Sequence, residues 1–398
     1  MLIKVKLTNS IKTEDWVNHF RDVFQSNEAA SKEHIQVDVT LSVDMEHELN
    51  RDISEEEVNA ALHKLKTGKA SGIDGISAEM LRNGTSEVNN FLFKLFSTIF
   101  NKGIYPQVWA KAIIIPIHKK GDPENVDNYR GVSSISILSK CYTSILNARL
   151  YSWLENNHLI CENQAGFRKK YSTIDQIFNL YAIVQKCMSR TGKKLYVAFV
   201  DFKKAFDSVR HDKLLEYIRK QGVKGKFFAS LSAMYDSLLS CIRVNGQLSE
   251  FFECPVGVRQ GCVLSPTLFS MFINQLADHM NERGRHGVQL LPDIMEIFIL
   301  LFADDVALLS TTPAGLQNQL NILQTCCENM QLNVNIDKTK VMVFRKGGFL
   351  AKHEQWYFNG TKLEVVNKYC YLGFNFTTKI SAKIGTEHLV TKGKRAVV

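Results

Sequence analysis

Phe302-Ala303-Asp304-Asp305 sets two adjacent carboxylates between two apolar runs, residues 297–302 and 306–309. Short apolar runs broken by turn-compatible residues predict a hairpin with buried strands. A buried carboxylate is costly unless it is paired, hydrogen-bonded or bound to a metal. The tetrapeptide therefore predicts either a metal site or an ordinary turn, since Asp is also a favoured turn residue.

A second apolar run has the same character, because residues 195–200 end abruptly at Asp201. Two strands that each end in carboxylates can bring Asp201, Asp304 and Asp305 together. Three carboxylates form a hard-oxygen site suited to Mg2+.

The chain has 398 residues and a net charge of +9, and its length predicts two or three subdomains. Residues 164–226 contain 15 Lys or Arg against five Asp or Glu, a local net charge of +10. Aromatic residues are interleaved with this basic block, a composition typical of nucleic-acid channels, although solvated helix faces over an aromatic core would have the same composition. Arg168, Lys169 and Lys170 are its candidate nucleic-acid contacts.

Nine scattered cysteines without a CxxC pair exclude a disulfide framework or a zinc site and favour a reducing, intracellular compartment. No apolar run approaches the length of a membrane span.

Local signals predict several elements. Ser54 and Glu57 form a capping box for a helix over 54–66, Asp207 is expected to cap the helix that follows it, and Ser265 with Pro266 opens another helix. Residues 371–374 are predicted to be one strand segment. Strands and helices are segregated rather than alternating, which predicts an α+β fold with an antiparallel sheet.

A strand over 113–117 is followed by a turn and three basic residues, Lys119, Lys120 and Arg130. These cations either flank a triphosphate or are the charges common at hairpin tips.

The chain resembles the reverse transcriptases of LINE-type (non-LTR) retrotransposons. Seven blocks occur in the family's order, from about residue 50 to 380: residues 115–122 with 128–130, 163–168, 200–207, 257–261, 302–305, 332–333 with 338–339, and 371–373. Each block is weakly specific, whereas seven in order are highly specific.

The resemblance implies a right-hand polymerase fold, with fingers and palm, an incomplete thumb and an antiparallel palm sheet flanked by helices. We expect a lead-in segment over 1–50, an N-terminal extension and fingers over 51–195, and a palm over 196–345 with interleaved fingers elements. Residues 346–398 are expected to end the palm and to begin a truncated thumb.

The resemblance also implies RNA-directed DNA polymerase activity, in which a primer 3′-hydroxyl attacks the α-phosphate of a dNTP on an RNA template. Asp201, Asp304 and Asp305 match the family's ligands for two Mg2+ ions, for which Mn2+ can substitute. Alternatively, Asp305 is a turn residue, or it supports the ligands without contacting the metal itself. Lys338 matches the position that protonates pyrophosphate.

Other matches imply nucleotide contacts. Phe206 corresponds to the position that excludes a ribose 2′-hydroxyl; an ordinary palm-core Phe is the alternative, and one ring can be both. Gln260 and Gly261 correspond to the loop that meets the templating base pair. Lys119 or Lys120 and Arg130 correspond to the residues that grip the triphosphate. Arg259 either supports its loop or contacts phosphate.

The expected partners are an RNA template, a DNA primer and dNTP, with no membrane, and the resemblance alone implies action in the nucleus or cytoplasm. The sequence leaves the oligomeric state open. The chain has no endonuclease block and stops where thumb helices should begin, which predicts a truncated element or a partial gene. A non-catalytic RNA-binding remnant and an intron-maturase-like polymerase are therefore the alternatives.

Overall fold

The computed structural model describes residues 11–24, 48–189, 192–283, 286–291 and 295–379. The chain forms two compact units, unit 1 from Met1–Leu159 with Phe206–Phe269, and unit 2 from Ile160–Ala205 with Ser270–Val398. Of the predicted lead-in only the helix near its start and its last three residues are described. The predicted thumb residues from 380 onwards lie outside the described part.

The described residues contain eleven α-helices and three short 3-10 helices, and none of these helices could span a membrane. In chain order the α-helices are α1 (Thr13–Phe24), α2 (Glu55–His63), α3 (Ala78–Arg82), α4 (Ser86–Lys102), α5 (Gln107–Ala110), α6 (Ile137–Asn156), α7 (Thr173–Ser189), α8 (His211–Lys220), α9 (Gly225–Asp236), α10 (Ser265–Glu282) and α11 (Pro313–Met330).

The strands of the described residues are mostly short. In chain order they are β1 (Lys111–His118), β2 (Tyr129–Ile135), β3 (Leu195–Val200), β4 (Leu239–Val244), β5 (Gln247–Leu248), β6 (Phe252–Glu253), β7 (Val288–Leu291), β8 (Met295–Ile297), β9 (Ile299–Phe302), β10 (Asp305–Ser310), β11 (Lys340–Phe344), β12 (Tyr357–Phe358), β13 (Thr361–Lys362), β14 (Glu364–Val365), β15 (Lys368–Tyr371) and β16 (Phe374–Thr377).

The three predicted helix starts agree with the structure to different degrees. Ser54 accepts a hydrogen bond from the Glu57 backbone, and Glu57 bonds back to Ser54, so the predicted capping box is confirmed. Helix α10 begins at Ser265 itself rather than after it. The cap predicted for Asp207 is wrong, because α8 begins only at His211.

Unit 1 contains the sheet β2-β1-β4-β5, with β6 paired to β4. Strand β1 runs antiparallel to β2 and parallel to β4, so this sheet is mixed. Aromatic rings in the core of the unit pack edge-on or tilted, Phe96 against both Trp109 and Tyr142. These contacts join α4, α5 and α6, and α5 leads directly into β1.

Unit 2 contains the sheet β14-β11-β3-β10-β9. Three of its four strand pairs are antiparallel as predicted, but β11 and β14 are parallel, so the prediction of an all-antiparallel sheet is wrong. The long connection between β11 and β14 permits the parallel pairing. All six residues of β3 are buried, because side chains of α7 cover one face of the sheet and α11 contacts β3 and β10.

The predicted strand over 371–374 is instead the turn of a hairpin. Strands β15 and β16 pair on either side of Leu372 and Gly373, which both have positive φ, 48° and 86°. This two-residue turn is typical of hairpins but is usually built from Asn-Gly or Asp-Gly. Because Leu372 is apolar and stands where Asn or Asp is usual, the sequence pattern predicted a continuous strand.

Candidate active site

The carboxylates of Asp201, Asp304 and Asp305 lie at one end of the unit 2 sheet. Strand β3 pairs with β10 so that Val200 lies opposite Val306. Continuing this register by one residue sets Asp201 opposite Asp305, and directly opposite residues share one face of a sheet. Strand pairing thus brings together two residues about a hundred positions apart in the sequence.

Strands β9 and β10 form a hairpin, residues 299–310, which we call the carboxylate hairpin. Asp304 lies in its turn. Phe302 pairs with Asp305, so the turn residues are Ala303 and Asp304, and Asp305 is the first residue of β10. Ala303 has a positive φ of 57°, a conformation that disfavours residues with a Cβ. The turn therefore holds Asp304 at its tip while Asp305 belongs to the sheet.

Burial and neighbouring carboxylate charge raise the pKa of two of the three residues, Asp305 and Asp304. The pKa of Asp305 is raised to about 6, first by burial and then by the charges of Asp304 and Asp201. Burial, followed by the charge of Asp201, also raises the pKa of Asp304. The Asp305 side chain is itself exposed to solvent, which screens part of the repulsion between the carboxylates. A cation bound here would relieve this repulsion.

A loop after α11 fixes the backbone at Asp201. The Asp201 carbonyl accepts a hydrogen bond of 2.7 Å from Asn335, and its N–H donates to the Thr339 hydroxyl at 3.2 Å. The same loop brings the Lys338 Nζ to 3.8 Å from Asp201 Oδ2. Lys338, predicted from the sequence as a proton donor, is therefore next to the carboxylates.

The donor set suits Mg2+ without forming a closed cage. In the described residues, no three His, Cys, Asp or Glu side chains are grouped tightly enough to hold a metal by themselves. Mg2+ keeps several waters and typically binds through one or two carboxylates plus substrate phosphates. Asp304 and Asp305, whose pKa values are raised, lie with Asp201 at an open sheet end and fit that mode of binding.

In unit 1, the candidate phosphate-binding residues lie on the hairpin of β1 and β2, which we call the basic hairpin (residues 111–135). Arg130 pairs with Ile117, and the Lys119 N–H donates to the Asn128 carbonyl. Because side chains alternate along a strand, Lys119 and Arg130 share one face of this hairpin. Lys120 lies beyond the paired residues.

The loop carrying Gln260 is fastened within unit 1. Gln260 Nε2 donates to the Asp207 carboxylate, which gives Asp207 a structural role different from the predicted helix cap. Gly261 has a φ of 88°, and a Cβ there would lie 2.7 Å from the Ser133 carbonyl oxygen. Both the conformation and the space therefore require glycine.

The Phe206 ring is half-buried and stacks on Phe269, with 4.1 Å between ring centroids. Phe269 is fully buried. The core thus supports one face of Phe206, as a rigid steric barrier requires.

Two predicted nucleic-acid contacts are buried. Arg168 is 8% exposed, donates to the carbonyls of Cys161 and Gln164, and lies over the Tyr171 ring. Arg259 is 7% exposed and donates to the Tyr105 hydroxyl. Of its two predicted roles, the geometry favours loop support. Lys169 and Lys170 are exposed.

The basic block of 164–226 is not a uniform channel lining. Several of its cations form ion pairs: Lys194 with Glu354, Arg210 with Asp212, Lys220 with Glu216, and Lys226 with Asp52. Some of its aromatic residues, including Tyr196, Phe199 and Phe202, are core residues. Phe167, Tyr171 and Phe178 are exposed instead.

Sequence reasoning missed two residues that accept hydrogen bonds from the backbone at the candidate carboxylates. Gln164 and Thr339 lie inside recognised blocks, yet they carried no assigned role. Both are polar and completely buried, but burial of a polar side chain is not visible in a single sequence. Their position inside the blocks was the available signal.

Comparison with known proteins finds a matching family and several related proteins. The family described as "Reverse transcriptase (RNA-dependent DNA polymerase)" matches residues 117–376. The chain is 29% identical over 337 residues, 82% of its length, to the RNA-directed DNA polymerase from mobile element jockey of Drosophila melanogaster. It is 28% identical over 335 residues, or 81% of its length, to the probable RNA-directed DNA polymerase from transposon BS of the same fly.

The jockey protein of Drosophila funebris is 28% identical over 377 residues, 92% of this chain. The matched regions cover 35%, 36% and 40% of these three relatives. The chain thus spans well under half the length of the curated relatives it matches.

Proposed function

This chain belongs to the reverse transcriptase family, and on that premise we propose that it is an RNA-directed DNA polymerase of a non-LTR retrotransposon. It joins the α-phosphate of a dNTP to a primer 3′-hydroxyl and releases pyrophosphate. The observation that carries the proposal is the convergence of Asp201, Asp304 and Asp305 at one end of the unit 2 sheet.

Asp201, Asp304 and Asp305 would hold two Mg2+ ions, with Mn2+ as a substitute. When bound, Mg2+ supplies positive charge that activates the attacking oxygen and neutralises the phosphates. The protein's contribution is a set of fixed negative charges on rigid strands. Lys338, 3.8 Å from Asp201, adds a cation and a proton at the leaving pyrophosphate.

The triphosphate binds to the basic hairpin. The shared face of Lys119 and Arg130 supports Lys119, rather than Lys120, as the partner of Arg130. Arg130 is exposed and makes bidentate contacts with phosphate oxygens, for which the planar guanidinium is suited.

We assign recognition of the nucleotide's sugar to Phe206 and that of the base pair to Gln260 and Gly261. The supported ring of Phe206 excludes a ribose 2′-hydroxyl and so selects deoxynucleotides. Gln260, tethered by Asp207, and Gly261 bring the backbone of their loop close to the templating base pair.

The RNA template and the DNA primer contact the exposed cations Lys169 and Lys170, next to the exposed rings of Phe167 and Tyr171. Lysines bind phosphates and aromatic rings stack on bases. Arg168 holds the loop next to this surface, and Arg259 holds its own loop in unit 1.

The right-hand arrangement is part of the proposal, with fingers over 51–195 and palm over 196–345. The order of the family blocks supports it. The non-catalytic remnant and the maturase-like polymerase are not favoured, because all three carboxylates are present and the relatives are RNA-directed DNA polymerases.

Primer extension tests the proposal. The purified chain, an RNA template, a DNA primer, dNTPs and Mg2+ are expected to give extension that Asp304→Asn abolishes. Ribonucleotides replacing dNTPs are expected to support little extension. Salt-dependent RNA binding that is unaffected by Asp304→Asn, with no extension by either protein, would instead identify an RNA-binding remnant.

A further inference from the structure

We propose that Gln164 is a positioning residue, whose side-chain oxygen holds the Ala303-Asp304 turn where its carboxylate can meet a divalent cation. The inference rests on the proposed function, since it concerns the metal ligands of that reaction. Gln164 lies outside the carboxylate hairpin and is completely buried.

The Gln164 side-chain oxygen accepts two backbone hydrogen bonds. The Gly166 N–H donates to Oε1 at 2.7 Å and the Ala303 N–H donates at 3.1 Å. No partner for Nε2 is found within the described residues. The amide is therefore used for its oxygen, which ties the turn of the hairpin to the loop of residues 163–168.

The space around the turn leaves little alternative. A Cβ on Gly166 would lie 2.1 Å from the Ala303 nitrogen. The loop backbone therefore packs directly against the turn backbone. Ala303 is buried, so its N–H depends on the Gln164 side chain for a hydrogen bond.

The loop also pairs with strand β9. The Ala165 N–H donates to the Leu301 carbonyl at 2.9 Å, and the Leu301 N–H donates to the Asn163 carbonyl at 3.0 Å. These bonds fix the strand before the turn, while Gln164 reaches the turn itself. The positive φ of Ala303 is unfavourable for alanine, so a turn without this support would relax and carry Asp304 with it.

A second buried glutamine provides a matched control. Gln176 is 2% exposed, and its Nε2 donates to the Asn163 carbonyl at 2.7 Å and the Leu301 carbonyl at 3.1 Å. It supports the same strand without contacting the turn. Gln164→Met and Gln176→Met each replace a buried amide by an apolar side chain of similar length.

Mn2+ binding followed by electron paramagnetic resonance tests the proposal without a polymerase assay. Gln164→Met is expected to weaken Mn2+ binding about tenfold, as the loss of a group that orients metal ligands typically does. Gln176→Met is expected to change it less than about twofold, although both variants lose thermal stability. In primer extension, Gln164→Met should lower kcat without raising KM for dNTP.

Equal Mn2+ affinities for the two variants would overturn the proposal, even if both lose stability. Should Gln164→Met fail to fold, amide exchange in the unaltered protein decides. The Ala303 N–H is expected to be protected like that of Leu301, whereas exchange at the rate of an open turn would also overturn the proposal. If the unaltered protein binds Mn2+ but copies nothing, the proposed function fails and the comparison of variants remains valid.

Discussion

The carboxylate hairpin and the basic hairpin are both antiparallel pairs that present charge, yet they are built differently. A two-residue turn closes the carboxylate hairpin, and the strand-pairing loop of 163–168 packs against it. The basic hairpin is closed by a ten-residue connection, residues 119–128, whose lysines are exposed. One hairpin is fixed from several sides, and the other is open to water.

The chemistry of the two proposed ligands, Mg2+ and the dNTP triphosphate, accounts for the difference. Mg2+ demands near-ideal geometry, so carboxylates that bind it must be held rigidly. A triphosphate spreads its charge over many oxygens, and long cationic side chains can follow it. A substitution in the carboxylate hairpin is therefore expected to act on the rate, and one in the basic hairpin on nucleotide affinity.

The largest effect is expected for Asp201→Asn, which keeps the size of the side chain and removes its charge. Primer extension should fall by on the order of a thousandfold or more, because residues that act as a unit fail together. Asp236→Asn, an exposed aspartate of α9, is the control and should leave the rate within about twofold. A modest loss for Asp201→Asn would show that the three carboxylates do not act as one site.

The next effect is expected in the basic hairpin. Arg130→Ala should raise KM for dNTP by about tenfold or more, since a charge-assisted hydrogen bond contributes on the order of 1.5–3 kcal/mol. Lys119→Ala should raise KM more than Lys120→Ala does, because Lys119 shares a face with Arg130. Steady-state kinetics with varied dNTP measures both. Equal values for the two lysine variants would contradict the assignment by register.

A smaller effect is expected on sugar selection. Phe206→Val removes the ring that stacks on Phe269 and should improve the use of ribonucleotides by about tenfold, with dNTP use nearly unchanged. The ratio of kcat/KM for the two sugars is the measurement. If dNTP and ribonucleotide use fall together, Phe206 is a core residue rather than a barrier.

The smallest effect is expected for the free energy of unfolding of the protein without bound metal. The pKa of Asp305 in the folded protein, about 6, lies above its ordinary value of 3.8, so wild-type stability falls as the pH rises through this range. Asp305→Asn should therefore be more stable than wild type at pH 7.5, and this advantage should vanish near pH 4.

The free energy of unfolding of Asp305→Asn at pH 7.5 is expected to exceed that of wild type by only about 1 kcal/mol, because solvent screens this exposed carboxylate. Urea unfolding in the presence of EDTA measures it. Mg2+ should reverse the order at pH 7.5 by stabilising wild type alone. Identical stabilities at every pH would contradict the proposed repulsion among the carboxylates.

The sequence by itself determined the family, the three carboxylates and many of the elements. These conclusions rest on local signals: a capping box at Ser54, apolar runs that end at Asp201 and Asp304, and blocks in a fixed order. Local patterns are legible because burial and capping act over a few residues. The strand predicted at Tyr371 failed because its turn uses leucine in a conformation that usually requires glycine or asparagine.

Only the tertiary structure decided which residues meet. It set Asp201 opposite Asp305, Lys119 on the face of Arg130, and Gln164 against Ala303. It also buried Arg168 and Arg259, which the sequence had offered as nucleic-acid contacts. Strand register and the burial of a polar side chain depend on partners many residues away, so no local pattern in the sequence encodes them.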